Sequence, residues 1–353
     1  MEHPLVDLRS DTVTRPSPAM RRAMAEAEVG DDVYREDPTI NRLQERAAEI
    51  FEREAGLFVP SGSMGNQAAI KVHTHHGQEV ICEDRSHIFN FEMATMAAFS
   101  GCLPRTIHAE DGILNWEMIA PHIRGRSDHR PKTGLVELEN TSNLAGGSVY
   151  PRKVSDEICD QAHAAGLPIH LDGARIFNAA VASGESVVNL TRKFDSVMFC
   201  LSKGLGAPVG SMLVGSKAFI EDARLVRKML GGGMRQAGVL AAAGLVALEE
   251  SPKRLHEDHA NAKFLAQGLA EIPGIKLDVA KVQSNILFLD VSGTGLTSYE
   301  ISKRLAAQGM LANGATPTTM RMVTHCDVDR AGCERALLVM KEVVKGAQAG
   351  AGA

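Results

Sequence analysis

The segment Phe199-Cys200-Leu201-Ser202-Lys203-Gly204-Leu205-Gly206-Ala207-Pro208-Val209-Gly210 sets a short apolar run against a Gly/Pro-rich turn, with Ser202-Lys203 at the junction. An apolar run bounded by turn residues reads as a buried strand. A lysine at the end of such a strand is costly to hold charged, because burial disfavours the ammonium form. An uncharged amine is a nucleophile toward carbonyls, so Lys203 suits a Schiff-base role. A solvated lysine that merely opens a loop has the same local sequence.

Working upstream, Pro168-Ile169-His170-Leu171-Asp172-Gly173-Ala174-Arg175 is a second apolar run, and it ends in a carboxylate. Open α/β sheets bind ligands at the C-terminal ends of their strands. There Asp172 suits the N–H of a pyridinium ring kept protonated as an electron sink, with Arg175 donating to the ring oxygen. A capping aspartate beside a surface arginine is the plainer alternative. Further upstream, Val59-Pro60-Ser61-Gly62-Ser63-Met64-Gly65-Asn66 reads as a strand and a Gly/Ser turn, followed by a helix over Gln67–His73. N–H groups and hydroxyls at a helix N-terminus make a phosphate site, although such turns are common without a ligand. Ser86-His87-Ile88 follows the strand Val80–Cys82, where an imidazole suits stacking on a ring and proton transfer. His73-Thr74-His75-His76 lacks acidic or thiol partners at ligand spacing and reads as a solvated helix end, not a metal site.

The same alternation organises the rest of the chain. Strands are expected at Leu57–Val59, Val80–Cys82, Leu135–Leu138, Ile169–Leu171, Val197–Cys200 and Met212–Val214, most of them separated by amphipathic helices. That pattern predicts an α/β fold with a mostly parallel, seven-stranded-type sheet. Asp37-Pro38 starts a helix with Ile40, Leu43, Ala47, Ile50 and Phe51 at helical spacing. Further helices are expected at Ala237–Glu249 and Leu255–Ala270. After Ile272-Pro273-Gly274 the order becomes strand Ile286–Val291, helix Ser298–Gln308, strand Met320–Val323 and helix Asp329–Val344, a small α+β domain. The expected divisions are an N-terminal arm over 1–18, a large domain over 19–252 and a small C-terminal domain over 253–353. A Gly/Ala-rich end, Gly346–Ala353, is the one low-complexity segment.

A formal net charge of −5 and no block of like charge argue against nucleic acid or an anionic membrane as partner. The first residues lack the basic and apolar regions of a signal peptide. The most apolar stretch, near Ala237–Leu248, is shorter than the ~20 residues that span a bilayer. The six cysteines are scattered without CxxC pairs and read as buried thiols of a cytoplasmic protein. No GxGxxG follows the first strand, which removes a dinucleotide-binding reading.

Several segments in register carry a family likeness: Asp7–Pro16, Gly30–Pro38, Ser61–Asn66, Glu139–Asn143, Leu171–Arg175, Leu201–Gly210 and Arg321–His325. Over nearly its whole length the chain resembles the threonine aldolase family of fold-type-I pyridoxal 5′-phosphate enzymes, in the beta-eliminating lyase group. The resemblance implies retro-aldol cleavage of a β-hydroxy-α-amino acid to glycine and an aldehyde. Related lyases, acting by β-elimination or on phenylserine-type substrates, share the lysine, aspartate and arginine. It implies that Lys203 forms the Schiff base, Asp172 and Arg175 bind the ring, and Ser61, Gly62 and Ser63 hold the phosphate. His87 would stack on the ring. The substrate's carboxylate would meet Ser10, Arg175 and Arg321, and Tyr34 would also bind the substrate. His87 or His129 would act as base. Lys228 and Arg235 would reach a neighbouring subunit's cofactor, in a homodimer or homotetramer with shared sites. The sequence departs from the family pattern at Ser142, where histidine is more usual, at Leu144–Gly147 and at Asn313–Met320; these bear on the preferred aldehyde.

Overall fold

The structure is a computed structural model that describes residues 5–350. The chain forms two units, one running from Pro16 to Pro252 and the other joining the residues up to Arg15 with those from Lys253 onward.

The Pro16–Pro252 unit is built on a seven-stranded sheet. Across it lie Ala55–Val59, Ser211–Gly215, Ser196–Cys200, Ile169–Asp172, Thr133–Glu139, Glu79–Glu83 and Leu103–Ile107. Ser211–Gly215 is antiparallel to both neighbours, and the remaining pairings are parallel. Six strands therefore end on the same edge, the arrangement expected of a fold-type-I enzyme. Every residue of Thr133–Glu139, Ile169–Asp172 and Ser196–Cys200 is buried. Helices on both faces of a parallel sheet impose that burial, which is why these strands read as apolar runs.

Leu103–Ile107 escaped that reading. It lies at the sheet's edge, carries Pro104, and buries Ile107 alone. Edge strands tolerate proline and polar residues because one side makes no ladder. The helix after Ala55–Val59 also begins earlier than expected, at Gly62, because Ser61 caps it by accepting from the Met64 N–H at 3.2 Å. Its glycines are packing residues. A Cβ on Gly65 would lie 2.7 Å from Met198 Cγ, and one on Gly62 3.0 Å from Cys200 Sγ. The first turn thus rests directly on the strand that leads to Lys203.

Helix Pro38–Phe51 starts as expected, with Asp37 Oδ1 accepting from the Ile40 N–H at 3.0 Å and Oδ2 from the Gly238 N–H at 2.8 Å. Ile40, Leu43, Ala47 and Phe51 are buried, and Phe51 stacks on Phe199 with centroids 4.7 Å apart.

In the other unit, Asn313–Thr316, Thr319–Val323 and Ile286–Asp290 form an antiparallel sheet. Helices Leu255–Ala270, Ser298–Ala306 and Arg330–Gly350 belong to the same unit. Val6–Asp7 pairs in parallel with Met310–Leu311, and Val6 and Leu8 join Leu265, Leu289, Ile301 and Met322 in one apolar core. The last helix runs into the Gly/Ala-rich end as far as Gly350; Ala351–Ala353 and Met1–Pro4 lie outside the described residues. Five cysteines are free and buried, whereas Cys326, expected inside, is free and exposed. Among the described residues no helix is long and apolar enough to cross a membrane.

Candidate active site

The C-terminal edge of the large sheet gathers the loops that sequence reasoning singled out. Ser61 follows Ala55–Val59, His87 follows Glu79–Glu83, Asn140–Asn143 follow Thr133–Glu139, Asp172 ends its strand, and Lys203 follows Ser196–Cys200. Parallel strands send all these loops to one edge, where ligands of open α/β sheets bind.

Asp172 is buried at the centre of a hydrogen-bonded cluster. Its Oδ1 accepts from the Ala174 N–H at 3.0 Å and its Oδ2 from Asn66 Nδ2 at 2.7 Å. The same Asn66 nitrogen donates to Glu92 Oε1 at 2.9 Å, and that oxygen also meets His87 Nδ1 at 2.8 Å. Gln67 Nε2 donates to Glu92 Oε2 at 2.5 Å. Helix Gly62–His73 therefore places one amide between two acids, and Glu92 orients the imidazole. Burial opposes a charge on His87, but its hydrogen bond to Glu92 and the nearby Asp172 outweigh it and raise its pKa above the ordinary 6.5. The positive charge of Lys203 acts on His87 in the opposite sense.

Glu139 ties two loops together, its Oε2 accepting from the His87 N–H at 2.6 Å and its Oε1 from the Asn143 N–H at 2.6 Å. Burial and the neighbouring Asp172 push its carboxyl up to about 7 despite those bonds. Arg175 is buried and lies against this loop, with Nη1 3.5 Å from Asn143 Oδ1. Lys203 is half-buried, and its amine makes no hydrogen bond or ion pair among the described residues.

His129 does not join this cluster. It is exposed in the loop before Thr133–Glu139, beside Ser127 Oγ at 3.2 Å. That is the opposite end of a strand spanning roughly 20 Å. A loop that precedes a parallel strand meets its N-terminal end, so within one chain His129 lies away from the edge that holds His87.

Tyr34 is 71% exposed, on a turn anchored from below by the buried pair Arg227–Asp32 at 2.6 Å. Lys228 is exposed near the end of helix Lys217–Met229, and Arg235 is exposed and paired with Asp31 at 3.0 Å. Neither belongs to the Asp172 cluster. In the other unit, Ser10 caps a short turn by accepting from the Thr12 N–H at 3.2 Å, and Arg321 sits on strand Thr319–Val323. The Val323 N–H donates to Leu8 O at 2.9 Å, so Ser10 and Arg321 each lie two residues from one hydrogen bond.

Sequence reasoning missed Glu92 and the structural use of Asn66 and Glu139. Glu92 had a signal: it is the one charge within Ile88–Ala98, an otherwise apolar or neutral stretch. A charge in such a setting is paired if it is buried.

A family profile described as "Beta-eliminating lyase" matches residues 7–292. Low-specificity L-threonine aldolase 1 of Arabidopsis thaliana is 45% identical over 349 residues, 96% of this chain and 98% of that protein. The low specificity L-threonine aldolase of Escherichia coli O157:H7 is 44% identical over 92% of this chain and 95% of its own. Among solved structures, a threonine aldolase of Leishmania major superposes with a TM-score of 0.83 at 22% identity, covering 96% of this chain and 99% of that one. The last likeness speaks for the fold and the first three for descent: the chain belongs to the beta-eliminating lyase family, among its threonine aldolases.

Proposed function

We propose that this chain is a pyridoxal 5′-phosphate-dependent carbon–carbon lyase that cleaves L-threonine, L-allo-threonine and related β-hydroxy-α-amino acids to glycine and an aldehyde. Family membership supports the reaction class. The observation that carries the site is the Asp172–Asn66–Glu92–His87 cluster beside the loop of Lys203.

The residues fit the cofactor. Asp172 spends one lone pair of each oxygen on Asn66 and Ala174 and keeps acceptor capacity for a ring N–H. The helix starting at Gly62 offers first-turn N–H groups that no intrahelical carbonyl satisfies. The Lys203 amine is uncommitted. Lys203 would hold the cofactor through that amine, Asp172 the ring nitrogen, Arg175 the ring oxygen, and Ser61, Gly62 and Ser63 the phosphate. When bound, the cofactor supplies a protonated ring that takes up the electron pair released at the substrate's Cα.

The chain's own residues do the rest. Glu92 fixes the His87 Nδ1–H, which leaves Nε2 as the acceptor for the substrate's β-hydroxyl proton. As that proton leaves, the C–O bond becomes the aldehyde carbonyl and the Cα–Cβ bond breaks. Glycine is complete when Cα takes up a proton. Following the resemblance, Arg175, Arg321 and Ser10 would bind the substrate carboxylate, and Tyr34 would be a further substrate-binding residue. Lys228 and Arg235 would serve a neighbouring subunit's site in a cytoplasmic homodimer or homotetramer. Sedimentation at micromolar concentration tests the assembly, and a monomer overturns it.

Purified protein given L-threonine or L-allo-threonine with the cofactor is expected to yield glycine and acetaldehyde in equal amounts. Lys203→Ala is expected to lose at least about 10³-fold in turnover; an undiminished rate refutes the reading. The family description also admits β-elimination, for which ammonia and a 2-oxo acid would appear in place of glycine and aldehyde.

A further inference from the structure

Behind Asp172 the cluster continues into the protein, through residues that the proposed chemistry does not touch. Asn66 Oδ1 meets His170 Nε2 at 3.1 Å, His170 Nδ1 meets Ser196 Oγ at 2.8 Å, and Ser196 Oγ meets His73 Nε2 at 2.8 Å. Secondary structure lines these groups up. Asn66 and His73 are seven residues apart and share a face of helix Gly62–His73. His170 and Asp172 alternate onto one face of their strand, and Ser196 pairs with His170 in register. His73, expected at a solvated helix end, is instead half-buried and stacked on Phe219 with centroids 4.8 Å apart.

The two acids at the inner end decide where every proton in this chain sits. Facing Asp172 and Glu92 together, the Asn66 amide presents its NH2, which turns its oxygen toward His170. His170 Nε2 must then carry the proton and donate it. Nδ1 is left as an acceptor for the Ser196 hydroxyl, whose oxygen accepts in turn from the His73 Nε2–H. Both imidazoles are held neutral by burial, His170 down to about 3 and His73 to about 4. A neutral ring can be donor on one side and acceptor on the other; a charged one cannot.

We propose that His170, backed by Ser196 and His73, is a positioning residue that locks the Asn66 amide and thereby fixes the Asp172 carboxylate as an oriented acceptor for the cofactor's ring N–H. The inference rests on the reading of Asp172 as the ring-nitrogen partner. An apolar residue at 170 would fill the space but leave Asn66 Oδ1 buried without a donor. The unsatisfied oxygen would weaken the hold on the amide, and Asp172 would lose its fixed direction.

The test compares wild type, His170→Leu, His170→Gln and Asp172→Asn. Nitrogen-15 NMR of the apo-protein is expected to show His170 as the Nε2–H tautomer, unchanged between pH 5 and 9 at the order of precision of such titrations. His170→Leu is expected to raise the cofactor's dissociation constant about tenfold and lower kcat about 10- to 100-fold, with KM within about threefold. His170→Gln, whose amide reaches Asn66 Oδ1 as the Nε2–H does, is expected to restore both to within about fivefold of wild type. An Nδ1–H tautomer, or His170→Leu with wild-type cofactor affinity and kcat, overturns the proposal. Should His170→Leu fail to fold, the tautomer in wild type and the milder Ser196→Ala, with the same two readouts, decide. Asp172→Asn separates the two levels. If it leaves activity intact, the functional reading falls; if it abolishes activity while His170→Leu does not, only the positioning chain falls.

Discussion

Asp172 and Glu137 are both buried acids on adjacent strands of one sheet, and they live in opposite surroundings. Asp172, at the strand's end, accepts from Asn66 and from the Ala174 N–H, and Glu92 beside it accepts from Asn66, Gln67 and His87. Glu137 lies two residues further in, opposite His170 in register, and neither of its oxygens has a hydrogen-bond partner. Burial pushes its carboxyl well above the ordinary range, reinforced by Asp172, Glu139, Glu92 and Glu83. The difference is one of position. At the end of a parallel strand, loops deliver donors; in its middle, only other side chains of the sheet face can, and here none of them bonds to Glu137.

The largest expected effect comes from breaking the donor-rich side at its centre. Asp172→Asn is expected to cost about 10³-fold in kcat/KM, through loss of preorganised charge. Steady-state kinetics with L-threonine checks it, and a loss below about fivefold would make the two acids functionally alike. Glu92→Gln is milder. It keeps an acceptor for Asn66 but removes the charge facing His87, so the His87 pKa should fall back toward 6.5 in the apo-protein, read by NMR titration. Turnover should drop about tenfold. Because the wild-type pKa is raised, the stability gained from this pair is present at acid pH and fades as pH rises through the His87 pKa.

Glu137→Gln should have the smallest effect on catalysis, within about twofold, and shows itself in stability instead. A carboxyl with a folded pKa above its ordinary 4.5 favours the folded state fully below that value and loses this as pH rises toward the folded pKa. The loss approaches about 1.4 kcal/mol per pH unit in that window. Calorimetry should therefore find the variant's Tm above wild type at pH 8 and not at pH 5. A wild-type pH profile in the variant would mean that Glu137 has donors after all.

Much of the large sheet was legible because burial on both faces leaves an apolar run between turns, as at Val197–Cys200 and Ile169–Leu171. Leu103–Ile107 was not, since an edge strand with Pro104 buries one residue. Asn313–Thr316 was missed for the same reason, with no residue of the strand buried. At the site, Lys203, Asp172 and Arg175 stood out because charged residues at the ends of apolar runs are anomalous in sequence. Asn66 and His170 did not, because neutral polar residues inside elements carry no such mark; only the distances of 2.7 and 3.1 Å give them a role. His129 carried a motif likeness, yet its loop lies at the far end of Thr133–Glu139.

From sequence alone follow the alternation of strands and helices, the family and hence the reaction class, and the loops that hold the chemistry, because each depends on local pattern or on descent. Tertiary structure alone decided which polar residues meet. Hydrogen bonds depend on distance and direction between segments far apart in the chain. The Asn66 amide between Asp172 and Glu92, the neutral His170 behind it, and the orphaned Glu137 two residues away exist only once helix Gly62–His73 lies on the sheet.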